Sequence, residues 1–140
     1  MIISFSFQKA QITLAERRRL KAFITSIFRR NGKELRQLSY VFCTDDYLLA
    51  INQKFLQHDY YTDIITFDLS ESPKVVEGEI YISVDRVKDN ANKLGVSVKE
   101  EIHRIMFHGA LHLCGYVDKR PKDREIMRLE EDKNLRLYFK

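Results

Sequence analysis

The chain begins with an alternation. Ile3, Phe5 and Phe7 are apolar, while Ser4 and Ser6 are polar. A period of two is the mark of a strand with one buried face, and the stretch lacks the basic leader and long apolar core of a signal peptide. From Gln11 to Arg30 the period changes. Leu20, Phe23, Ile24, Ile27 and Phe28 recur at helical spacing, which predicts a helix that Asn31-Gly32 ends. Leu38–Cys43 reads as a strand, and Thr44 is placed to cap a helix from Asp45 to about Phe55. Two more strands are predicted at Ile64–Leu69 and Glu79–Ser83, joined by the loop ESPKVVEG. Val84–Leu94 should be a helix stopped by Gly95. Ser97 and Glu100 have capping-box spacing and should open a helix running to Cys114. Ile102, Ile105, Met106, Phe107, Ala110, Leu111 and Leu113 make that helix apolar on nearly every side, so it belongs in the middle of the fold. A charged helix from Pro121 to Leu137 closes the order βαβαββααα. The expectation is an α/β (α+β) domain covering residues 1–140, with one mixed sheet of about four strands and about five helices.

Composition narrows this little. With 140 residues, 44% hydrophobic and 31% charged, the chain is long enough to bury about two-thirds of its unfolded surface. No apolar run approaches a membrane span. Two cysteines without CxxC spacing predict reduced thiols in a cytoplasm. Charge adds more. Residues 1–36 hold nine Lys/Arg against two Glu, a net of +7, whereas residues 37–140 net −3. Arg17, Arg18, Lys21 and Arg29 fall largely off the apolar stripe of the first helix. They form a basic face that suits a polyanion, although a solvated helix face has the same pattern.

The chemistry-bearing stretch is HGALHLCGYVD, His108 to Asp118. At about 100° per residue, His108 and His112 lie about 40° apart, one turn apart along a helix. Gly115 permits a sharp turn, after which Asp118 can return towards both rings. Two imidazoles, one carboxylate and an open fourth position form a catalytic zinc set that other divalent metals also accept. The plainer reading has each histidine bonded to a backbone carbonyl, with Asp118 capping the last helix ahead of Pro121. Burying two imidazoles near a helix end favours the metal, because they cost free energy unless something binds them. Cys114 falls on the opposite side of the helix. His103 reads as a surface or supporting residue, and His58 lies in the polar loop QHDYYTD. The pattern is close to the long metalloprotease motif, which places a Glu base directly after the first His. Here that residue is Gly109, which argues against peptide hydrolysis.

On these residues the sequence resembles the YbeY family of bacterial rRNA maturation factors, proposed to be single-strand-specific endoribonucleases. The family carries HGxLHLxGYDH, and His108, Gly109, Leu111, His112, Leu113, Gly115 and Tyr116 match it. Thr62–Phe67 resembles its TDVLSF strand, and Gly78-Glu79-Ile80 resembles its Gly-Asp-Ile strand start. The resemblance covers nearly the whole chain. It implies one Zn2+ per chain and a metal-dependent endoribonuclease acting on the 16S rRNA 3′ end in ribosome biogenesis. Its partners would be rRNA and the small subunit, with no DNA and no membrane. Two positions depart. The family's third ligand is a histidine where this chain has Asp118, which keeps a competent ligand and adds negative charge. The family's arginine before the T-D block is matched by Leu56, which removes a cation that could contact phosphate.

The residues then sort as follows. His108, His112 and Asp118 would hold zinc. Asp63, in the T-D block, is the one acid/base candidate. Arg17, Arg18, Lys21 and Arg29 would track phosphates, and Tyr60, Tyr61 and Tyr116 could stack bases. RNA brings its own nucleophile, the 2′-hydroxyl, so a missing protein base matters less than in a protease. Two rivals stand beside this reading. One is a non-catalytic zinc-binding ribosome-assembly factor, and the other is a metallohydrolase of small molecules or peptides.

Overall fold

The computed structural model describes residues 2–140. The elements run β1 (Ile3–Gln8), α1 (Arg17–Arg30), β2 (Glu34–Cys43), α2 (Asp45–Leu56), β3 (Ile64–Asp68), β4 (Val75–Ser83), α3 (Val84–Leu94), α4 (Val98–Leu113) and α5 (Pro121–Tyr138). This is the expected order. The four strands form one mixed sheet in the order β1-β2-β4-β3. β1 and β4 both run parallel to β2, and the edge strand β3 runs antiparallel to β4.

The sheet divides its residues by parity, as a pleated strand must. Ile3, Leu38, Tyr40, Phe42, Val76, Ile80 and Ile82 enter the main core with Leu20, Ile24, Ile27 and Phe28 of α1 and most of α4. The other face holds a smaller cluster of Cys43, Leu48 and Ile65, flanked by Tyr47, Ile51 and Phe67, where α2 packs. α4 is therefore the central helix. Leu111, Phe107, Met106 and Ile102 have no exposed surface. The buried Tyr40 hydroxyl donates to the Met106 carbonyl at 2.8 Å, tying α4 to β2.

Three boundaries differ from the sequence reading by four residues or more, and each has a cause. α1 begins at Arg17, not Gln11. Residues 10–15 bury every second side chain, ending on the buried Leu14, and Glu16 at φ 51° interrupts any helix there. β4 begins at Val75, not Glu79, and β2 begins at Glu34, not Leu38. The two extend together, Glu34 against Val75, so each supplies the partner that makes the other a strand. The other helix starts and stops held to within about one residue. Thr44, Ser83 and Ser97 accept from Tyr47, Arg86 and Glu100 amides, and Gly95 ends α3 at φ 68°.

Candidate metal centre

His108 and His112 occupy the last two turns of α4, and Asp118 lies in the loop before α5. Gly115 turns the chain between them at φ 110°, a value that favours glycine. Asp118 does come back: its Oδ2 is 3.3 Å from His108 Nε2. It does not cap α5, whose N-cap is Arg120 with no side-chain cap bond. The two imidazoles are held differently: His108 is half-buried against a buried carboxylate, whereas His112, expected to be buried, is exposed because it faces outward on the last turn of α4. His108 Nδ1 donates to Glu131 Oε2 at 2.7 Å, and His112 Nδ1 donates to the Tyr116 carbonyl at 3.0 Å. With both Nδ1 atoms so engaged, Nε2 is the nitrogen each ring has left to offer. An acceptor on the far nitrogen is how metal-ligating histidines are fixed. The donor set, two imidazole Nε2 atoms and a carboxylate, fits a divalent cation of the zinc type. Among the described residues no three His, Cys, Asp or Glu side chains are already gathered into a metal cage. His108 and Asp118 meet, and His112 stands outside that pair.

Behind His108 lies a polar layer that sequence reasoning missed. Glu131 of α5 is buried to 8% side-chain exposure, and its other oxygen accepts from Arg104 at 3.1 Å. Arg104 also pairs with Asp132 at 2.8 Å. The chain Asp132–Arg104–Glu131–His108 thus joins α4 to α5 and fixes the ring. Its only sequence trace is that Arg104 and His108 are four apart on one helix face. Burial alone would lower the His108 pKa. The hydrogen bond and charge of Glu131, then the charges of Asp118 and Asp63, outweigh it and raise the pKa above the usual value. Glu101, one heptad before His108 and on the same face, is buried with Oε1 unpartnered among the described residues. Burial, and then the neighbouring Asp63 and Glu131 charges, push its pKa up against the pull of Arg104.

Asp63 sits just ahead of β3, within electrostatic reach of His108, and accepts from Asn90 at 3.2 Å. Burial raises its pKa, and the His108 charge only partly offsets this. Of the other sequence candidates, His103 is corrected. It is 2% exposed, donates from Nδ1 to the Lys99 carbonyl at 2.6 Å, and stacks on Tyr138. It is a core histidine of α4, not a surface one. His58 stacks on Tyr60 in an exposed loop. Cys43 and Cys114 are free, with thiol pKa values pushed up to about 12 chiefly by burial, so neither is a reactive nucleophile. Tyr60 and Tyr61 are exposed, whereas Tyr116 packs on the core and donates to Asn31. Arg17, Arg18 and Arg29 are solvent-exposed on α1, while Lys21 is half-buried with its ammonium over Phe5. Gly109 has a structural reason. A Cβ there would meet Ile80 Cδ1 at 2.8 Å and Ile64 Cδ1 at 3.1 Å, because α4 lies directly on β3 and β4.

Fold and site together define a single-sheet α/β protein with an imidazole–carboxylate centre at the end of its central helix. The chain belongs to the YbeY family: the family profile described as "Endoribonuclease YbeY" matches residues 3–138. A relative of that name from Cytophaga hutchinsonii is 47% identical over 135 residues, covering 96% of this chain and 94% of its own. Another, from Porphyromonas gingivalis, is 44% identical over 133 residues, covering 95% and 87%. The solution structure of a Thermotoga maritima protein superposes with a TM-score of 0.65 at 23% identity, over 96% of this chain and 89% of that one. This last likeness supports the fold. No helix among the described residues is long and apolar enough to cross a membrane.

Proposed function

We propose that this chain is a zinc-dependent endoribonuclease that cuts single-stranded rRNA, at the 16S 3′ end, during maturation of the small subunit in the cytoplasm. The whole chain forms its one metal-dependent domain, with His108, His112 and Asp118 as the metal ligands. The observation that carries the reading is that both imidazoles have Nδ1 engaged on an acceptor, with His108 Nε2 turned to Asp118, in a chain whose relatives are named endoribonucleases. When bound, zinc polarises a phosphoryl oxygen and can bring the pKa of a water to about 7.

The chain's own residues supply the rest. Asp63, with its raised pKa, is the group beside His108 that can hold or pass a proton. RNA contributes the 2′-hydroxyl as nucleophile, which relieves the protein of a dedicated base. The loop that leads into Asp63 carries Tyr60 and Tyr61, at 56% and 46% exposure, as faces on which unpaired bases stack. Duplex bases cannot reach such faces, which is why a single strand is the expected substrate. Arg17, Arg18 and Arg29 add phosphate contacts.

One observation favours a second reading, a zinc-binding assembly factor without chemistry. Leu56, 40% exposed, leaves no cation at the place before the T-D block. The test is metal content by mass spectrometry together with cleavage of a single-stranded rRNA fragment. It compares the wild type with His112→Ala, Asp118→Ala and Asp63→Asn. About one zinc per chain, lost or weakened in the first two variants along with cleavage, is expected. A folded Asp118→Ala protein that still cleaves would remove Asp118 from the site, a zinc-loaded wild type that cleaves no rRNA would overturn the nuclease reading, and full activity in Asp63→Asn would remove that residue's role.

A further inference from the structure

A broad depression lies away from the metal centre. A trough of about 1480 Å³ runs between residues 9–15, β1 and the start of α4. Its floor is apolar, with Phe7, Ile12, Leu14 and Ile102. Its charged lining residues are four cations, Lys9, Arg17, Lys88 and Lys99, with no carboxylate among them. All four are exposed. Among the described residues none of the four has an ion-pair partner, in contrast to Arg19, Arg36, Arg86, Lys93, Arg104 and Arg120, which each have an acidic one. What contacts they make are to rings: Arg17 lies over Phe7 and Lys99 over Phe139.

Uncompensated charge of one sign in a concave site raises the local concentration of opposite charge. The trough is also distinct from the metal centre. His108 is nine residues beyond Lys99 on α4, which places it about 14 Å along the axis and about 180° around it. A phosphate held in the trough is therefore not the phosphate being cut.

We propose that this trough is a second binding site of the protein, gripping the phosphodiester backbone of single-stranded RNA away from the point of cleavage. The proposal rests on RNA being the substrate, and it assigns to Lys9, Lys88 and Lys99 a role that the basic face of α1 alone did not suggest. Arg17 links the two surfaces, since it belongs to α1 and lines the trough. An apolar floor beneath a cationic rim suits a single strand, whose bases are free to turn inward, better than a duplex.

The test is salt-dependent binding of a 2′-O-methyl RNA of about 16 nucleotides, a length within reach of single-strand sites, which lacks the 2′-hydroxyl nucleophile. The wild type is compared with the triple variant Lys9→Gln/Lys88→Gln/Lys99→Gln and with a control, Lys122→Gln/Lys133→Gln/Lys140→Gln, that removes equal charge elsewhere. Each lost phosphate contact lowers the slope of log K against log salt by about 0.7 for a single strand. The trough variant should lose about 2 in slope and bind more than about tenfold more weakly at 50 mM salt, while the control changes little. Equal losses in the two triple variants, an unchanged trough variant, or no binding by the wild type would each overturn the proposal. If the wild type binds through the trough but cleaves no RNA, the nuclease reading fails while the trough stands. Preferential binding of duplex RNA would overturn the single-strand assignment.

Discussion

Glu131 is the residue on which the candidate centre turns. Its carboxylate, clamped by Arg104, orients His108 and supplies charge to the ring. Loss of such a supporting acceptor weakens metal affinity by about 10- to 100-fold. Glu131→Ala should therefore bind zinc that much more weakly in calorimetric titration, and Glu131→Gln by less, since an amide oxygen still accepts. Unchanged affinity in Glu131→Ala would show that the contact does not support the site. The two histidines and Asp118 were visible in the sequence because helical spacing and one glycine set their geometry. Glu131 was not, since its partnership crosses 23 residues of sequence through helix packing. His103 offers a pH test. Burial, followed by the Lys99 and Arg19 charges, holds its pKa below the ordinary 6.5 against its bond to the Lys99 carbonyl. The unfolded chain then binds the extra proton, so the stability this residue confers is complete above about pH 6.5 and lost as pH falls below it. His108, with a raised pKa, acts in the opposite sense, so the comparison must be differential. Between pH 7 and 5 the thermal midpoint of the wild type should fall more steeply than that of His103→Phe.

At the scale of elements, the close seat of α4 on the sheet decides what the motif can be. Alanine at 109 would gain up to about 1 kcal/mol of helix propensity over glycine. Its Cβ would press on Ile80 and Ile64 at 2.8 and 3.1 Å, and overpacking of a full core costs about 1–3 kcal/mol. The second effect wins. Gly109→Ala should lower stability in urea denaturation by about 1 kcal/mol, and should weaken zinc binding as α4 shifts; a more stable variant would mean that the core yields freely there. The protease-type Glu at this position is therefore disfavoured by packing as well as absent from the sequence. The same elements show what the sequence could reveal. α3 matched its expected range because Ser83 and Gly95 mark its ends locally. α1 was overextended because the alternation of Ala10, Ile12 and Leu14 is too short to be told from helical spacing without the surface it covers. β2 and β4 were cut short because their first residues become strand only through each other.

For the whole molecule, the question is whether a metal at the proposed site would belong to the fold or be added to it. The core built by α1, α4 and the sheet is continuous and apolar, and it lies away from Asp118, which is 42% exposed on a surface loop. A chain of this length buries enough surface to fold without a metal. Metal bound to the native state adds RT ln(1 + [L]/Kd), about 2.7 kcal/mol at a hundredfold excess over Kd. Chelation should therefore lower the thermal midpoint by several degrees while leaving far-ultraviolet circular dichroism unchanged at 25 °C, and RNA cleavage should be lost before structure is. Complete unfolding on chelation would instead assign the metal to the architecture and favour the assembly-factor reading. The trough adds a separable expectation. None of His108, His112 and Asp118 lines it, and Lys99 lies on the far side of α4 from His108, so the metal-free protein should keep its RNA affinity and salt dependence while losing cleavage. That pairing, binding retained and chemistry gone, is what two sites with no residue in common require.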